Sequence, residues 1–190
     1  MNNTFYFIRH ADKLELKDKP VDEWPLSEKG IKQAQEIADS GKFDEIDLIF
    51  TSSLERTYQT AKPISDKIRR EITKCPEFDE LKMGNNHWFG EEFESAIKDC
   101  LTHLYTSEHE WETAHNALER FSNKIEEIDK DHDDKKILIV SHNVVINLFF
   151  AKLLDKLDHV YERGVLTKDP MYNYIGIVQN DKIIQDIVKK

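Results

Sequence analysis

Three short hydrophobic runs in this chain each stop on polar residues suited to holding and attacking a phosphoryl group. Phe5-Tyr6-Phe7-Ile8 ends in Arg9-His10. Leu48-Ile49-Phe50 leads into Thr51-Ser52-Ser53, with Arg56 close behind. Ile137-Leu138-Ile139-Val140 ends in Ser141-His142. Ligands of open α/β sheets bind just beyond the carboxyl ends of the strands, so these three ends can converge on one pocket. A neutral imidazole is a competent nucleophile toward phosphorus when one ring nitrogen is bare and an acceptor holds the other. Repulsion from Arg9, Arg56 and His142 would keep His10 neutral. The planar forks of Arg9 and Arg56 match phosphate oxygens, and phosphoryl transfer depends mainly on positioning and charge stabilisation. Ser52 and Ser53 stand where a helix begins, a place that favours anions and equally suits plain capping. His142 would donate to a transferring oxygen, and the Asn143 backbone N–H at the next helix start would add a donor. A general acid must protonate the leaving oxygen. Glu77, Asp79 and Glu80 are the candidates, and spacing does not choose among them.

The elements that must position these groups alternate between strand and helix, which predicts an α/β fold with a mostly parallel sheet. Residues 4–9, 46–50 and 136–141 read as strands. The stretch 71–79 is ambiguous, with Glu71-Ile72-Thr73 a candidate short strand. Ser27 is placed to cap a helix with an apolar stripe at Ile31, Ala34, Ile37 and Ala38, ended by Gly41. A second helix runs from Leu54 to about Arg70, with Pro63 set to kink or split it. Gly84-Asn85-Asn86 and Gly90 mark turns. Helices follow over 91–104, 110–129 and 143–154, the last apolar throughout. Tyr172–Gln179 and Ile183–Val188 flank Asn180-Asp181, a tight hairpin signal. The charge run 129–136 reads as a solvated loop.

The 190 residues suit a single domain spanning 1–190. A net charge of −10 argues against nucleic acid or an anionic membrane as the partner. It also requires that positive charge be concentrated locally, at Arg9, Arg56 and His142. No stretch approaches the roughly 20 apolar residues of a membrane span, and Met1-Asn2-Asn3-Thr4 lacks the pattern of a signal peptide. Cys75 and Cys100 fall in unrelated contexts and read as reduced thiols of a cytoplasmic protein. The remaining histidines, His103 and His109 with Glu108 and Glu110 included, show no metal-ligand spacing and read as solvent-facing.

Four motifs, in order, resemble the histidine phosphatase superfamily in its phosphoglycerate mutase-like branch. They are Arg9-His10-Ala11-Asp12; Leu26-Ser27-Glu28-Lys29-Gly30 with Gln33-Ala34; Thr51-Ser52-Ser53-Leu54-Glu55-Arg56-Thr57 with Gln59-Thr60-Ala61; and Val140-Ser141-His142. Together they span most of the chain. The resemblance implies a three-layer sandwich with a small helical cap insertion at about 75–130. It implies His10 as the phosphorylated nucleophile and Arg9, Arg56 and His142 as the phosphate pocket. Glu80 becomes the proton donor, because Glu80-Leu81-Lys82-Met83-Gly84 with Trp88 resembles the family's acid-bearing stretch. Trp111-Glu112-Thr113 with Arg120 resembles the segment that opens the family's long helix. Ala11 stands where the family has glycine, so ordinary negative φ is expected there. Lys13 stands near where an asparagine is usual, and Asn143 follows the second histidine.

The expected activity is therefore hydrolysis of phosphomonoesters through a phosphohistidine, with no cofactor and no metal, because arginines neutralise the charge. The expected partner is a small phosphate ester, a phosphorylated protein being a further class, and the oligomeric state is not read. Lys13, Ser52 and Asn143 join Arg9, Arg56 and His142 as expected substrate contacts. The rival readings are a phosphoglycerate mutase, a non-catalytic phosphate-binding regulator and a phosphatase of phosphohistidine on other proteins. Trp88, Phe89 and Phe93 read first as packing residues and second as groups that shape access to the pocket.

Overall fold

A computed structural model describes residues 2–84, 91–107, 110–165 and 174–187. The signals at Asn85, Asn86, His87, Trp88, Phe89, Gly90, Glu108 and His109 lie outside these residues, as do Tyr172 and Val188 at the outer ends of the expected hairpin.

Six strands form one sheet: β1 (Thr4–Arg9), β2 (Leu48–Thr51), β3 (Ile72–Lys74), β4 (Lys136–Ser141), β5 (Gly176–Gln179) and β6 (Lys182–Gln185). Their order is β3-β2-β4-β1-β5-β6. Strands β1 to β4 are parallel, whereas β5 runs antiparallel to β1 and to β6. Asn180 and Asp181 close the last pair with positive φ at both positions, the geometry of a two-residue hairpin turn.

Alternation along the strands creates two buried faces. Phe5, Phe7, Phe50, Ile137 and Ile139 lie in one hydrophobic cluster, and Ile8, Ile49, Leu138 and Val140 in another. Helices α1 (Glu28–Asp39) and α2 (Glu55–Ile68) cover the second face through Ile37, Ala38, Ala61 and Ile64. Helices α4 (Ala114–Asp131) and α5 (Asn143–Leu153) cover the first, with α3 (Glu91–Thr102) joined to the same cluster through Ala96, Ile97, Cys100 and Leu101. This is the three-layer arrangement. Within the span about 75–130, α4 packs on the sheet, since the Phe121 ring lies 6.2 Å from that of Phe7. Among the described residues no helix is long and apolar enough to cross a membrane.

Several boundaries shift from expectation for local reasons. Pro63 lies inside an unbroken α2, which stops when Arg69 turns left-handed. Helix α4 begins at Ala114 rather than at 110, because Glu110 has a φ of 57° and Thr113 supplies the N-cap, accepting from Asn116 N at 3.1 Å. Ser27 caps α1 as its sequence predicts, accepting from Gly30 N at 3.0 Å.

Candidate active site

The two histidines stand side by side because β1 and β4 pair in register. Arg9 lies opposite Ser141, and the ladder continues one step further with His10 N donating to Ser141 O at 3.0 Å. The His10 and His142 rings are 5.1 Å apart, edge to face. Both are buried, at 7% and 0% exposure. On the other side of β4, Ser52 N bonds to Val140 O at 3.1 Å, so β2 delivers Ser52 and the start of α2 to the same edge.

Nδ1 of His10 lies 2.7 Å from the Ala11 carbonyl oxygen. A carbonyl only accepts, so Nδ1 carries the proton and Nε2 keeps its lone pair. The imidazole pKa is held well below its ordinary value, first by burial and then by Arg56 and Arg9. Charge repulsion is thus real but second to desolvation. His142 is pushed the same way, again by burial first and then by Arg56.

Arg56 is 2% exposed and Arg9 half-buried. Burial lowers both guanidinium pKa values, and the Glu80 carboxylate is the first charge that opposes this. One Arg56 Nη donates to Val21 O at 2.9 Å, which aims the side chain. The Nε atoms of Arg9 and Arg56 and Nδ1 of His142 are buried without a hydrogen-bond partner among the described residues. Buried donors of this kind cost free energy unless satisfied. Three of them on neighbouring residues suit the oxygens of a bound phosphoryl group.

The acid candidates now separate. The Glu80 carboxylate accepts from Val144 N at 3.1 Å and Val145 N at 3.3 Å, at the N-terminus of α5, and from its neighbour Leu81 N at 3.0 Å. That places it beside His142 and both arginines. Asp79 is occupied elsewhere, receiving Ser53 N at 2.7 Å and Ser53 Oγ at 2.8 Å. Its pKa is raised, with burial the leading cause. Among the described residues Glu77 meets Arg120 through its carbonyl, at 2.7 Å.

Lys13 enters the cluster from the loop after β1. Its ammonium sits 4.5 Å from the centre of the Trp24 ring, and its pKa is lowered to about 8 by burial first and by Arg56 and Arg9 next. Ser52 is placed otherwise than expected. It is fully buried, with Oγ 2.8 Å from His142 Nε2 and 2.8 Å from Thr57 Oγ1, so it stands behind the histidine. The Asn143 carboxamide oxygen accepts from Asn147 Nδ2 at 2.9 Å, one turn along α5.

Sequence picked out the motif residues that hold the His10 loop but did not show this role. Ala11 N donates to Thr60 Oγ1 at 3.0 Å, Asp12 N to Gln33 Oε1 at 2.9 Å, and Leu26 N to Gln59 Oε1 at 2.8 Å. Ser27 N and Oγ donate to Asp12 O and Oδ2 at 3.0 and 2.6 Å. Gly30 is required by close approach, since a Cβ there would lie 1.9 Å from Asp12 O. Ser27, Gly30, Gln33 and Thr60 of these motifs thus mark contacts to residues 11 and 12, and Gln59 ties α2 to Leu26 ahead of α1. Ala11 is absent from the positive-φ positions, so it needs no glycine.

With the fold and these side chains in place, the wider likeness can be stated. The profile of the histidine phosphatase superfamily (branch 1) matches residues 5–168, and the chain belongs to that family. It is 26% identical over 149 residues to the uncharacterized phosphatase PhoE of Bacillus subtilis, covering 77% of this chain and 75% of that one. It is 28% identical over 164 residues to phosphoserine phosphatase 1 of Hydrogenobacter thermophilus, covering 77% and 74%. Among solved structures, mycobacterial hydrolase 1 superposes with a TM-score of 0.82 at 15% identity over 100% of both chains. Bacillus stearothermophilus YhfR does so at 0.78 and 22% identity over 96% and 95%. Both likenesses speak to the fold.

Proposed function

We propose that the protein is a phosphatase of small phosphomonoesters that works through a phosphohistidine on His10 and needs no metal. The observation that carries this is the fixed tautomer of His10, with Nδ1–H tied to Ala11 O, beside three buried donors that have no partner among the described residues. Arg9, Arg56 and Lys13 neutralise the phosphoryl charge and hold it for in-line attack. His10 Nε2 bonds to phosphorus as the ester P–O bond breaks, and Glu80 gives a proton to the departing oxygen. Glu80 then takes a proton from water, the water oxygen bonds to phosphorus, and the P–N bond breaks. Phosphate leaves, and His10 is neutral again. Ser52 Oγ–H donated to His142 Nε2 leaves the proton on Nδ1, which serves the transferring oxygen as a donor. Two buried free thiols, Cys75 and Cys100, support a cytoplasmic setting.

The test is direct. His10→Ala should abolish hydrolysis of 4-nitrophenyl phosphate, while EDTA leaves the wild type unchanged. Turnover by the alanine variant at the wild-type rate would overturn the mechanism.

A further inference from the structure

Glu80 sits in a stretch with no ladder of its own, since residues 79–84 belong to neither strand nor helix. Something must fix its backbone if its carboxyl group is to meet a leaving oxygen within a few tenths of an ångström. Arg120, on α4, spends every donor it has on this task. One Nη donates to Glu77 O at 2.7 Å and Asp79 O at 2.8 Å. The other donates to Glu80 O at 2.9 Å and Glu112 Oε2 at 2.8 Å, and Nε donates to Glu112 Oε1 at 2.8 Å. A guanidinium has five N–H donors, and all five are used.

Glu112 closes the arrangement from the far side of the acid. Its Oε2 accepts from Lys82 N at 3.2 Å, and its own N–H donates to Lys82 O at 2.8 Å. Chain positions on both sides of Glu80 are therefore tied to one ion pair, while the Glu80 carboxylate hangs on α5 through Val144 and Val145. The side chains of Arg120 and Glu112 are 16% and 12% exposed, so the pair must first offset the cost of leaving water before it adds anything to stability. Stability is a weak reason for a pair so fully committed to one turn.

We propose that Arg120 and Glu112 are positioning residues for the acid–base step: a clamp that sets the Glu80 carboxyl group against the leaving oxygen. This rests on Glu80 being the proton donor. Lysine cannot substitute, because a point charge with three donors cannot fork a carboxylate and reach three carbonyls in one plane.

The experiment compares kcat/KM for 4-nitrophenyl phosphate, whose leaving group departs without a proton, and for glycerol phosphate, whose alkoxide requires one. The variants are Glu80→Gln, Arg120→Lys and Glu112→Gln. Since kcat/KM stops at the first irreversible step, it isolates alcohol release from phosphoenzyme hydrolysis. Glu80→Gln should lose about 1,000-fold on the alkyl ester and less than about tenfold on the aryl ester. Arg120→Lys and Glu112→Gln should show the same split at about 30-fold on the alkyl ester, the cost of a misplaced acid. If Glu80→Gln splits the substrates but the clamp variants lower both in parallel, or neither, the clamp is wrong and the acid stands. If Glu80→Gln shows no split, Glu80 is not the acid and the clamp falls with it. Glu112→Gln keeps the shape of the side chain but sets an amide NH2 against one N–H of the guanidinium fork, so it loosens the clamp without a change of size and gives the answer should Arg120→Lys not fold.

Discussion

Lys13 offers the sharpest quantitative test of the site. Its ammonium is held among cations, and its pKa is lowered from 10.5 to about 8, with burial ahead of Arg56 and Arg9 as the cause. A bound phosphoryl dianion brings compensating charge and restores the proton. Phosphate affinity should therefore fall as pH rises through about 8, at close to tenfold per pH unit. Between pH 7.5 and 9.5 the inhibition constant of inorganic phosphate should rise about 25-fold. Phosphate is mostly dianionic there and gains charge slightly as pH rises, which opposes the trend rather than producing it, and His10 is already neutral. Lys13→Met should bind phosphate weakly at pH 7.5 with a nearly flat profile, and the two proteins should converge as the wild-type ammonium empties. Parallel profiles for the two proteins would refute the placement of Lys13 against the phosphoryl group. Stability should move oppositely. A base whose folded pKa lies below its unfolded value is penalised while charged, so its contribution improves as pH rises from about 8 toward 10.5. At pH 7 Lys13→Met should therefore melt higher, by about 1–2 kcal/mol after allowance for the side chain's partial contact with water.

Three further outcomes are expected. Ser52→Ala removes the partner of His142 Nε2 and the lock on its tautomer, so kcat should fall about 100-fold with little change in KM, and unchanged kcat would show that the hydroxyl is idle. Gly30→Ala forces a methyl group into the Asp12 carbonyl, so urea unfolding should report a loss of about 3 kcal/mol, and wild-type stability would mean that the loop yields freely. His10 and His142 are both buried and neutral with pKa values held well below 6.5, whereas the unfolded chain protonates them near 6.5. Stability should be full above that pH and fall as pH drops, by about 1.4 kcal/mol per unit for each histidine; His10→Ala should halve that part of the slope, and an unaltered slope would contradict the burial argument.

What the residues revealed beforehand follows a physical divide. The strand ends were readable because a buried strand is a run of apolar side chains and its end is an abrupt change to polar ones. Arg9, His10, Arg56 and His142 sit at such changes, and the register of β1 with β4 then brings the histidines together. Glu80 could not be separated from Glu77 and Asp79 by spacing, because what selects it is a pair of N–H groups on α5, far along the chain. Ser52 reads as a phosphate contact from its place before a helix, yet its hydroxyl turns back to His142, a choice of rotamer that sequence does not carry. Glu112 and Arg120 stand out in sequence only as part of the segment that opens α4, and the three carbonyls gathered on the guanidinium come from a stretch far back in the chain that spacing does not connect to them. The start of α4 was misplaced by four residues' worth of helix-compatible sequence that one left-handed residue, Glu110, interrupts.

The pairing of β1 with β4 has a consequence for biosynthesis. His10 is translated well before His142, whose imidazole becomes its neighbour only when β4 pairs with β1. A ribosome-bound fragment that stops short of β4 carries His10 but not its partner, and on the proposed mechanism it should be chemically silent. Phosphate affinity in a nascent or truncated chain would then report insertion of the central strand, and catalysis would begin only once the middle of the sheet is filled.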